Sequence, residues 1–196
     1  MSGVQRANHF VRLTSGIRAD LHLWLQFLDN HNGVTMFQDS SWSSPAITCF
    51  YTDASGSIGY GGFKDREWFS GLWPEAWGPV DIQTKEIFPI FLGVKLYGKT
   101  LANKKLKIFS DNASVVEILN KFSSKSRFVM VFVRLIVLEL LTHNISIKVF
   151  HLPGFKNVVA DHLSRNSLQA ARKVRPSLEP LPTPVPPNLL PANWMP

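Results

Sequence analysis

The chain has 196 residues, of which 45% are hydrophobic and 12% aromatic, and this is enough to bury one core of domain size. The formal net charge of +7 favours an anionic partner, either nucleic acid or a membrane surface. A single cysteine, Cys49, excludes a disulfide framework and a cysteine-based zinc site, and it indicates a reducing compartment.

The first part of the chain, residues 1–45, is predicted to hold one amphipathic helix followed by a serine-rich linker. Large apolar residues recur there at helical spacing: Leu21, Trp24, Leu25 and Leu28. The linker is the sequence SSWSSP at 40–45. The chain shows no charged-then-apolar leader, and its most apolar run, at 128–141, is too short to span a membrane. That run is interpreted as a buried helix, and no membrane partner is expected.

The middle part, residues 46–167, alternates between strand and helix patterns. Three strand patterns come first: ITCFYTDA, the segment 56–62, which makes a hairpin turn and the second strand, and REWFSGLW. A helix pattern at 87–94, the strand KLKIFS, helix patterns at 115–122 and 128–142, the strand ISIKVFH and a helix capped by Asn157 complete the series. The order βββαβααβα predicts an α/β fold. Its five-stranded mixed sheet has three antiparallel strands first, two parallel strands last, and helices on its faces.

The last part, residues 168–196, is predicted to be a proline-rich tail outside the domain. Eight prolines fall at 176–196, so neither a long helix nor a central strand can persist there. The tail is expected to be extended or disordered, and its PxxP-like spacing leaves docking to an aromatic groove as an alternative.

Four carboxylates fall at the ends of predicted elements. Asp53 and Asp111 end two strands, Glu86 lies near the start of the first helix of the middle part, and Asp161 lies in the first turn of its last helix. Acids at neighbouring strand ends repel one another unless a cation holds them. An all-oxygen site favours Mg²⁺ or Mn²⁺, and two such ions suit phosphodiester hydrolysis. Taken singly, each acid can also be explained as a turn former or a partner of a helix dipole.

The predicted helix that contains Glu86 also contains a proline. Pro89 lies three residues after Glu86 and removes a backbone donor. The helix is therefore expected to begin near Thr84 or to kink there.

Several segments, in this order, resemble the type 1 ribonuclease H domain of retroelement reverse transcriptases, most closely that of the DIRS-like, tyrosine-recombinase retrotransposons. The matching segments are YTDASGSIGYGGF, KEIFPIFLGVKLYG, IFSDNASVVEILN and HLPGFKNVVADHLSR, which together span about residues 48–165. The resemblance implies a ribonuclease H-like fold and metal-dependent hydrolysis of the RNA strand of an RNA/DNA hybrid. It also implies that two Mg²⁺ ions, or Mn²⁺, are held by the four carboxylates named above.

Further residues are candidates for nucleic-acid contact. Ser55 and Gly56 would let the backbone approach the RNA sugar-phosphate, because glycine has no Cβ. Gln83 and Asn112 are candidates for contacting the minor groove and its 2′-hydroxyls, or else are solvated polar positions. Many relatives carry a mobile histidine before the last acid. Here His151 is the candidate for that accessory role, although it ends a strand and is interpreted as structural.

The charge distribution is consistent with a polyanionic partner. Residues 51–165 carry 15 Lys and Arg against 10 Asp and Glu. Two lysine and arginine clusters are candidates for phosphate contacts, or for solvated helix ends: Lys104, Lys105 and Lys107, and Lys121, Lys125 and Arg127.

Three other functions compete with the nuclease. A catalytically lapsed binding module would keep the fold and lose the metal dependence. A nucleotide cradle of the actin-like ATPase type would need a second domain of similar size, and an integrase would lack the ADHLSR ending. A reverse transcriptase polymerase domain is expected as a partner, since no YxDD motif occurs and the first helix resembles the segment that follows a polymerase. The expected location is intracellular, cytoplasmic or nuclear.

Overall fold

The computed structural model describes residues 10, 12–29, 31, 33, 42 and 47–194. Its strands are β1 (Thr48–Ala54), β2 (Gly59–Lys64), β3 (Glu67–Leu72), β4 (Lys105–Ser110) and β5 (Ser146–His151). Its α-helices are α1 (Ser15–Asp29), α2 (Ile82–Tyr97), α3 (Ala113–Lys121), α4 (Arg127–His143), α5 (Val158–Ser164) and α6 (Leu168–Val174). The predicted linker at 40–45 lies outside the described residues, apart from Trp42.

The five strands form one mixed sheet in the order β3-β2-β1-β4-β5. β1 pairs antiparallel with β2, and β2 pairs antiparallel with β3. β4 lies parallel to both β1 and β5. The predicted fold class is confirmed, and β1 and β4 are neighbours whose carboxyl ends reach the same edge of the sheet.

The main core lies between one face of this sheet and helices α2, α3 and α4. Phe50 of β1, Ile108 of β4 and Phe132 of α4 are among its fully buried members. α2 packs so closely on β1 that a Cβ at Gly93 would lie 2.0 Å from Cζ of Phe50. Glycine at this position therefore sets the distance between helix and sheet.

A second, smaller core lies on the opposite face of the sheet. α5 and α6 cover Phe63 of β2 and Trp68 of β3 there, through Leu163 and Ala171. α5 contacts β1, β2 and β3. This half of the sheet is consequently enclosed on both faces.

The start of α2 lies close to the predicted start near Thr84. The helix begins at Ile82, two residues before Thr84, and continues through Pro89. Asp81 fixes this start, because its carboxylate accepts the Thr84 backbone N–H at 3.0 Å and the Thr84 hydroxyl at 2.7 Å. Such an N-cap stabilises the first turn, and the packed second turn tolerates the donor that Pro89 lacks.

The predicted first helix corresponds to α1, and its apolar residues are largely exposed. Trp24 is 52% exposed and Leu28 is 61% exposed. The helix is held to α4 by polar contacts: Arg134 donates to the Asp20 carboxylate at 2.7 Å and to the Gly16 carbonyl at 3.4 Å.

Within the described residues, no helix is long and apolar enough to cross a membrane.

The C-terminal segment, expected to be extended or disordered, packs on the domain. Residues 168–174 form α6, and the proline-rich part that follows contacts the edge strand β3. The Thr183 backbone N–H donates to the Trp68 carbonyl at 2.7 Å, and the Trp77 indole donates to the Pro191 carbonyl at 2.9 Å. Leu189 is 6% exposed.

Backbone carbonyls of this segment accept hydrogen bonds from indole groups of the domain. The Trp68 indole donates to the Glu179 carbonyl at 2.8 Å, in addition to the bond from Trp77 to Pro191. Short 3-10 turns at 187–189 and 191–193 add hydrogen bonds within the segment itself. The division of the chain into parts 1–45, 46–167 and 168–196 stays a prediction.

Candidate metal centre

Asp53 lies in β1, one residue before its end, and its carboxylate is buried. Its register partner on β2 is Gly61, where a Cβ would lie 2.5 Å from Cβ of Leu163. This close approach seats α5 on the hairpin and brings Ser164 to the site. The Ser164 hydroxyl donates to Oδ2 of Asp53 at 2.5 Å.

Glu86 reaches the same place from the other face of the sheet. It lies in the second turn of α2, which contacts β1 and β2, and it is 4% exposed. The backbone N–H of Ala54 donates to its carboxylate. The other oxygen, Oε2, is buried without a hydrogen-bond partner.

Asp111 follows β4 directly and is half-buried. Nε2 of His151 lies 3.0 Å from the Asp111 carbonyl oxygen, which joins the ends of β4 and β5. Gly154 lies against the carboxylate, since a Cβ there would be 3.1 Å from Oδ2 of Asp111. The turn after β5 thus forms one wall beside this acid.

These three carboxylates form one group. One oxygen from each of Asp53, Glu86 and Asp111 lies within 4.8 Å of the others. Burial, with repulsion from Asp53 and Asp111 added, raises the pKa of Glu86 to about 9. Burial also raises the pKa of Asp53 to about 6 and moves that of Asp111 upward. The free site therefore resists full ionisation.

The residues of the group fit a divalent cation. Three carboxylates supply only oxygen donors, which hard cations such as Mg²⁺ and Mn²⁺ prefer. The partnerless Oε2 of Glu86 is a buried acceptor of the kind that a metal ion satisfies. A cation would also remove the mutual repulsion that raises these pKa values.

Asp161, the fourth predicted ligand, is not a member of this group of three. It lies in α5, where its carboxylate accepts from Nε of Arg165 at 2.8 Å. Its charge still raises the pKa of both Asp53 and Asp111, so it is close enough to act on them electrostatically. Its role as a ligand stays a prediction.

Ser55 and Gly56 form the turn between β1 and β2. The Ser55 hydroxyl accepts from the Ile58 backbone N–H at 3.2 Å, and Gly56 is exposed. A Cβ at Gly56 would meet nothing within 4 Å, so packing within the described chain does not require glycine there. The predicted approach of nucleic acid at this turn stays a prediction.

Gln83 and Asn112 lie outside the carboxylate group. Gln83 lines a groove of about 420 Å³ together with Glu117, Lys121 and Lys125. Asn112 is the N-cap of α3, and its side-chain oxygen accepts the Ser114 backbone N–H at 3.0 Å. That oxygen is committed within the chain, and contact of either residue with a minor groove stays a prediction.

His151 ends β5, and the structure gives its ring a definite contact. It lies beside the Asp111 backbone, and a charge on its ring lowers the pKa of the Asp111 carboxyl. Its side chain is exposed, which leaves the accessory role as a prediction.

Two residues at this site were missed by the sequence analysis. Ser164 was not singled out, although it lies three residues after Asp161 in the ADHLSR segment. Lys85 was counted only as a charge, but it is 3% exposed and donates to the Gly56 carbonyl at 2.6 Å and to the Gly78 carbonyl at 3.1 Å. Lys85 thereby ties the β1–β2 turn to the segment before α2.

Asn157 holds the predicted cap position without capping. Its amide nitrogen donates instead to the Thr52 carbonyl at 2.9 Å, and no side-chain bond closes the start of α5. The residue therefore fastens α5 to β1 next to Asp53.

No protein-family model matches the chain, and no curated protein matches its sequence. Among solved structures it is similar to LC11-RNase H1, a protein isolated from compost by a metagenomic approach. The identity is 15% and the TM-score 0.44, with 64% of this chain and 97% of that chain covered. Neither value is high enough to transfer a property of that protein to this chain.

Proposed function

We propose that the protein is a divalent-metal-dependent nuclease that hydrolyses the RNA strand of an RNA/DNA hybrid. The observation that carries the proposal is the convergence of Asp53, Glu86 and Asp111 within 4.8 Å at the edge where β1 and β4 end. These acids come from three elements and are far apart along the chain. Their convergence in a basic domain favours a cation bound next to a polyanion.

Each residue of the site would have a separate role in this reaction. Asp53, Glu86 and Asp111 would hold two Mg²⁺ ions, or Mn²⁺ in their place, with Asp161 as the fourth predicted ligand. Metal held by these residues would supply an activated water and would stabilise charge on the attacking and leaving oxygens. Ser164 orients the Asp53 carboxylate through its hydrogen bond. Lys85 positions the turn at Gly56, where the sugar-phosphate backbone is expected.

We infer further that the chain derives from a retroelement reverse transcriptase. The support is the set of sequence segments that ends in ADHLSR. A polymerase domain is the partner that this origin implies, and an intracellular location, cytoplasmic or nuclear, goes with it.

A catalytically lapsed binding module is the second candidate. The observation that favours it is the position of Asp161, which pairs with Arg165 outside the group of three. In this case the domain would bind hybrids through its basic residues, and the affinity would fall steeply with salt.

The test is cleavage of an RNA/DNA hybrid labelled on the RNA strand, with Mg²⁺ and with EDTA. Cleavage with Mg²⁺ only, abolished by Asp53→Asn, supports the nuclease. Asp65→Asn is the matched control, because Asp65 is exposed in the β2–β3 turn at φ 55°, a conformation that asparagine also adopts. Hybrid binding without cleavage supports the lapsed module, and cleavage that persists in Asp53→Asn refutes the proposed site.

A further inference from the structure

Part of the sheet face opposite the main core is not covered by α5. Along β4 and β5, alternate residues point away from that core: Lys105, Lys107 and Phe109 on β4, and Ser146, Lys148 and Phe150 on β5. On β1 the corresponding residues are Cys49 and Tyr51. Cys49, Tyr51, Lys107, Phe109 and Phe150 are partly exposed, and Lys148 is exposed. This surface is called the open face below.

A row of aromatic rings crosses the sheet at this surface. Tyr51 stacks between Phe63 and Phe109, with ring centroids 4.8 Å away on each side. Phe109 in turn stacks on Phe150 at 5.7 Å. The guanidinium of Arg175 lies 5.0 Å from the Phe63 ring and closes that end of the row. At the other end, the described residues place no ring on the second face of Phe150.

Two lysines accompany the open end of the row. Lys107 and Lys148 are register partners on β4 and β5, and their ammonium groups lie 5.9 Å and 5.6 Å from the Phe150 ring centroid. Among the described residues, neither lysine forms an ion pair with a carboxylate. Lys105 already lies over the Trp42 ring at 5.5 Å, and the inference does not depend on it.

The electrostatics of the open face fit a polyanion. None of its eight strand residues is acidic. The exposed edges of stacked aromatic rings carry partial positive charge, which adds to that of the ammonium groups. Aromatic rings beside a basic track are the combination that binds single-stranded nucleic acid, with bases on the rings and phosphates on the lysines.

We propose that the open face binds a single strand of nucleic acid through Phe150, Lys107 and Lys148. The open face lies beside the candidate metal centre. Tyr51 lies two residues before Asp53 on β1, and Phe109 of β4 lies two residues before Asp111. Two residues of strand correspond to roughly 7 Å. A strand that leaves the metal centre therefore has a surface to follow, although binding here does not require cleavage or metal.

The experiment uses the full chain in EDTA, with oligothymidylate and oligouridylate of equal length as probes. Fluorescence anisotropy measures their affinity at several salt concentrations. Lys107→Gln with Lys148→Gln should weaken binding at least tenfold and reduce the salt slope by about 1.4, at about 0.7 per phosphate contact on a single strand. Lys99→Gln with Lys173→Gln is the charge-matched control, and it should leave the slope of this site unchanged.

The alkylation rate of Cys49 is a second measurement, and it does not depend on the lysine variants. It is the only cysteine of the chain and the register partner of Lys107. A bound oligonucleotide should slow its alkylation severalfold. A Cys49→Ser chain that carries Asn188→Cys, at an exposed position of the C-terminal segment, should show no protection.

Three results would contradict the proposal. Unprotected Cys49, or unchanged affinity in the double lysine variant, places the strand elsewhere. Equal binding of polyglutamate would show a surface for acidic polypeptides instead. A preference between the two oligonucleotides would identify DNA or RNA as the source of the bound strand and would support the proposal.

Discussion

The Ser164 hydroxyl donates to Oδ2 of Asp53 across 2.5 Å, and both side chains are buried. The same hydroxyl also lies 2.9 Å from the Asp161 carbonyl oxygen. Ser164 therefore links β1 to α5 at the point where the carboxylate group is built. The bond favours the ionised form of Asp53, against the burial that raises its pKa to about 6.

Ser164→Ala should lower both stability and metal affinity. Loss of a hydrogen bond to a charged group costs about 1.5–3 kcal/mol of unfolding free energy at pH 8, where Asp53 is ionised. Loss of a residue that orients a ligand typically lowers metal affinity or activity roughly 10–100-fold. Chemical denaturation and the Mg²⁺ dependence of hybrid cleavage measure the two effects.

Ser167→Ala is the control for this prediction. The Ser167 hydroxyl makes only a 3.4 Å contact with the Arg165 carbonyl, so the variant should resemble the parent chain. Equal behaviour of the two alanine variants would contradict the orienting role of Ser164.

The pKa of Glu86 predicts how the metal-free protein responds to pH. The folded-state values, about 9 for Glu86 and about 6 for Asp53, lie above their ordinary values of 4.5 and 3.8. Because the folded state binds protons that the unfolded state has released, stability should fall as pH rises from about 4 to about 9. Melting temperatures in EDTA across this range test the sign.

Glu86→Gln should remove much of this pH dependence. The amide keeps an acceptor for the Ala54 N–H and carries no charge, so the variant should melt above the parent chain at pH 8 in EDTA. Mg²⁺ should stabilise the parent chain more at pH 8 than at pH 5, and the variant less at either pH. Glu117→Gln, on the exposed surface of α3, should change neither trend. A Glu86→Gln variant that melts below the parent chain at every pH would contradict the role given to the Glu86 carboxyl.

Asp161 and Asp111 should differ in their effect on metal binding. Asp111 belongs to the group of three, whereas Asp161 is partly exposed and pairs with Arg165. Asp111→Asn should therefore lower Mg²⁺ affinity by at least the roughly tenfold loss typical of a supporting residue, and Asp161→Asn by less. Calorimetric titration of Mg²⁺ into each variant gives the ranking. Equal losses would show that Asp161 moves into the group when metal binds.

Much of the fold followed from local patterns in the sequence. Strands such as KLKIFS alternate between a buried and a less buried face, and the helices between them require parallel crossovers. Asp53 and Asp111 were predictable as neighbours, because β1 and β4 end at the same edge. Glu86 was predictable from its place near the start of the helix that packs on β1.

Other features depend on contacts between distant parts of the chain. Ser164 meets Asp53 across 111 residues, and no local pattern marks that pair. Lys85 lies on a helix that is buried on nearly every side, so a polar face could not be told from an apolar one. Proline content indicates that no long helix or central strand persists at 176–196, but it gives no information about the indole donors of Trp68 and Trp77 that hold the segment in place.

The last prediction concerns two leucines of the C-terminal segment, one of which is buried and one exposed. Leu189 is 6% exposed and belongs to the main core, whereas Leu181 is 78% exposed. If the segment packs as described, Leu189→Ala should cost about 2–4 kcal/mol of unfolding free energy, since it removes buried methyl groups. Leu181→Ala should stay within about 0.5 kcal/mol. Urea denaturation of both variants decides the matter, because a disordered tail would make the two substitutions equally silent.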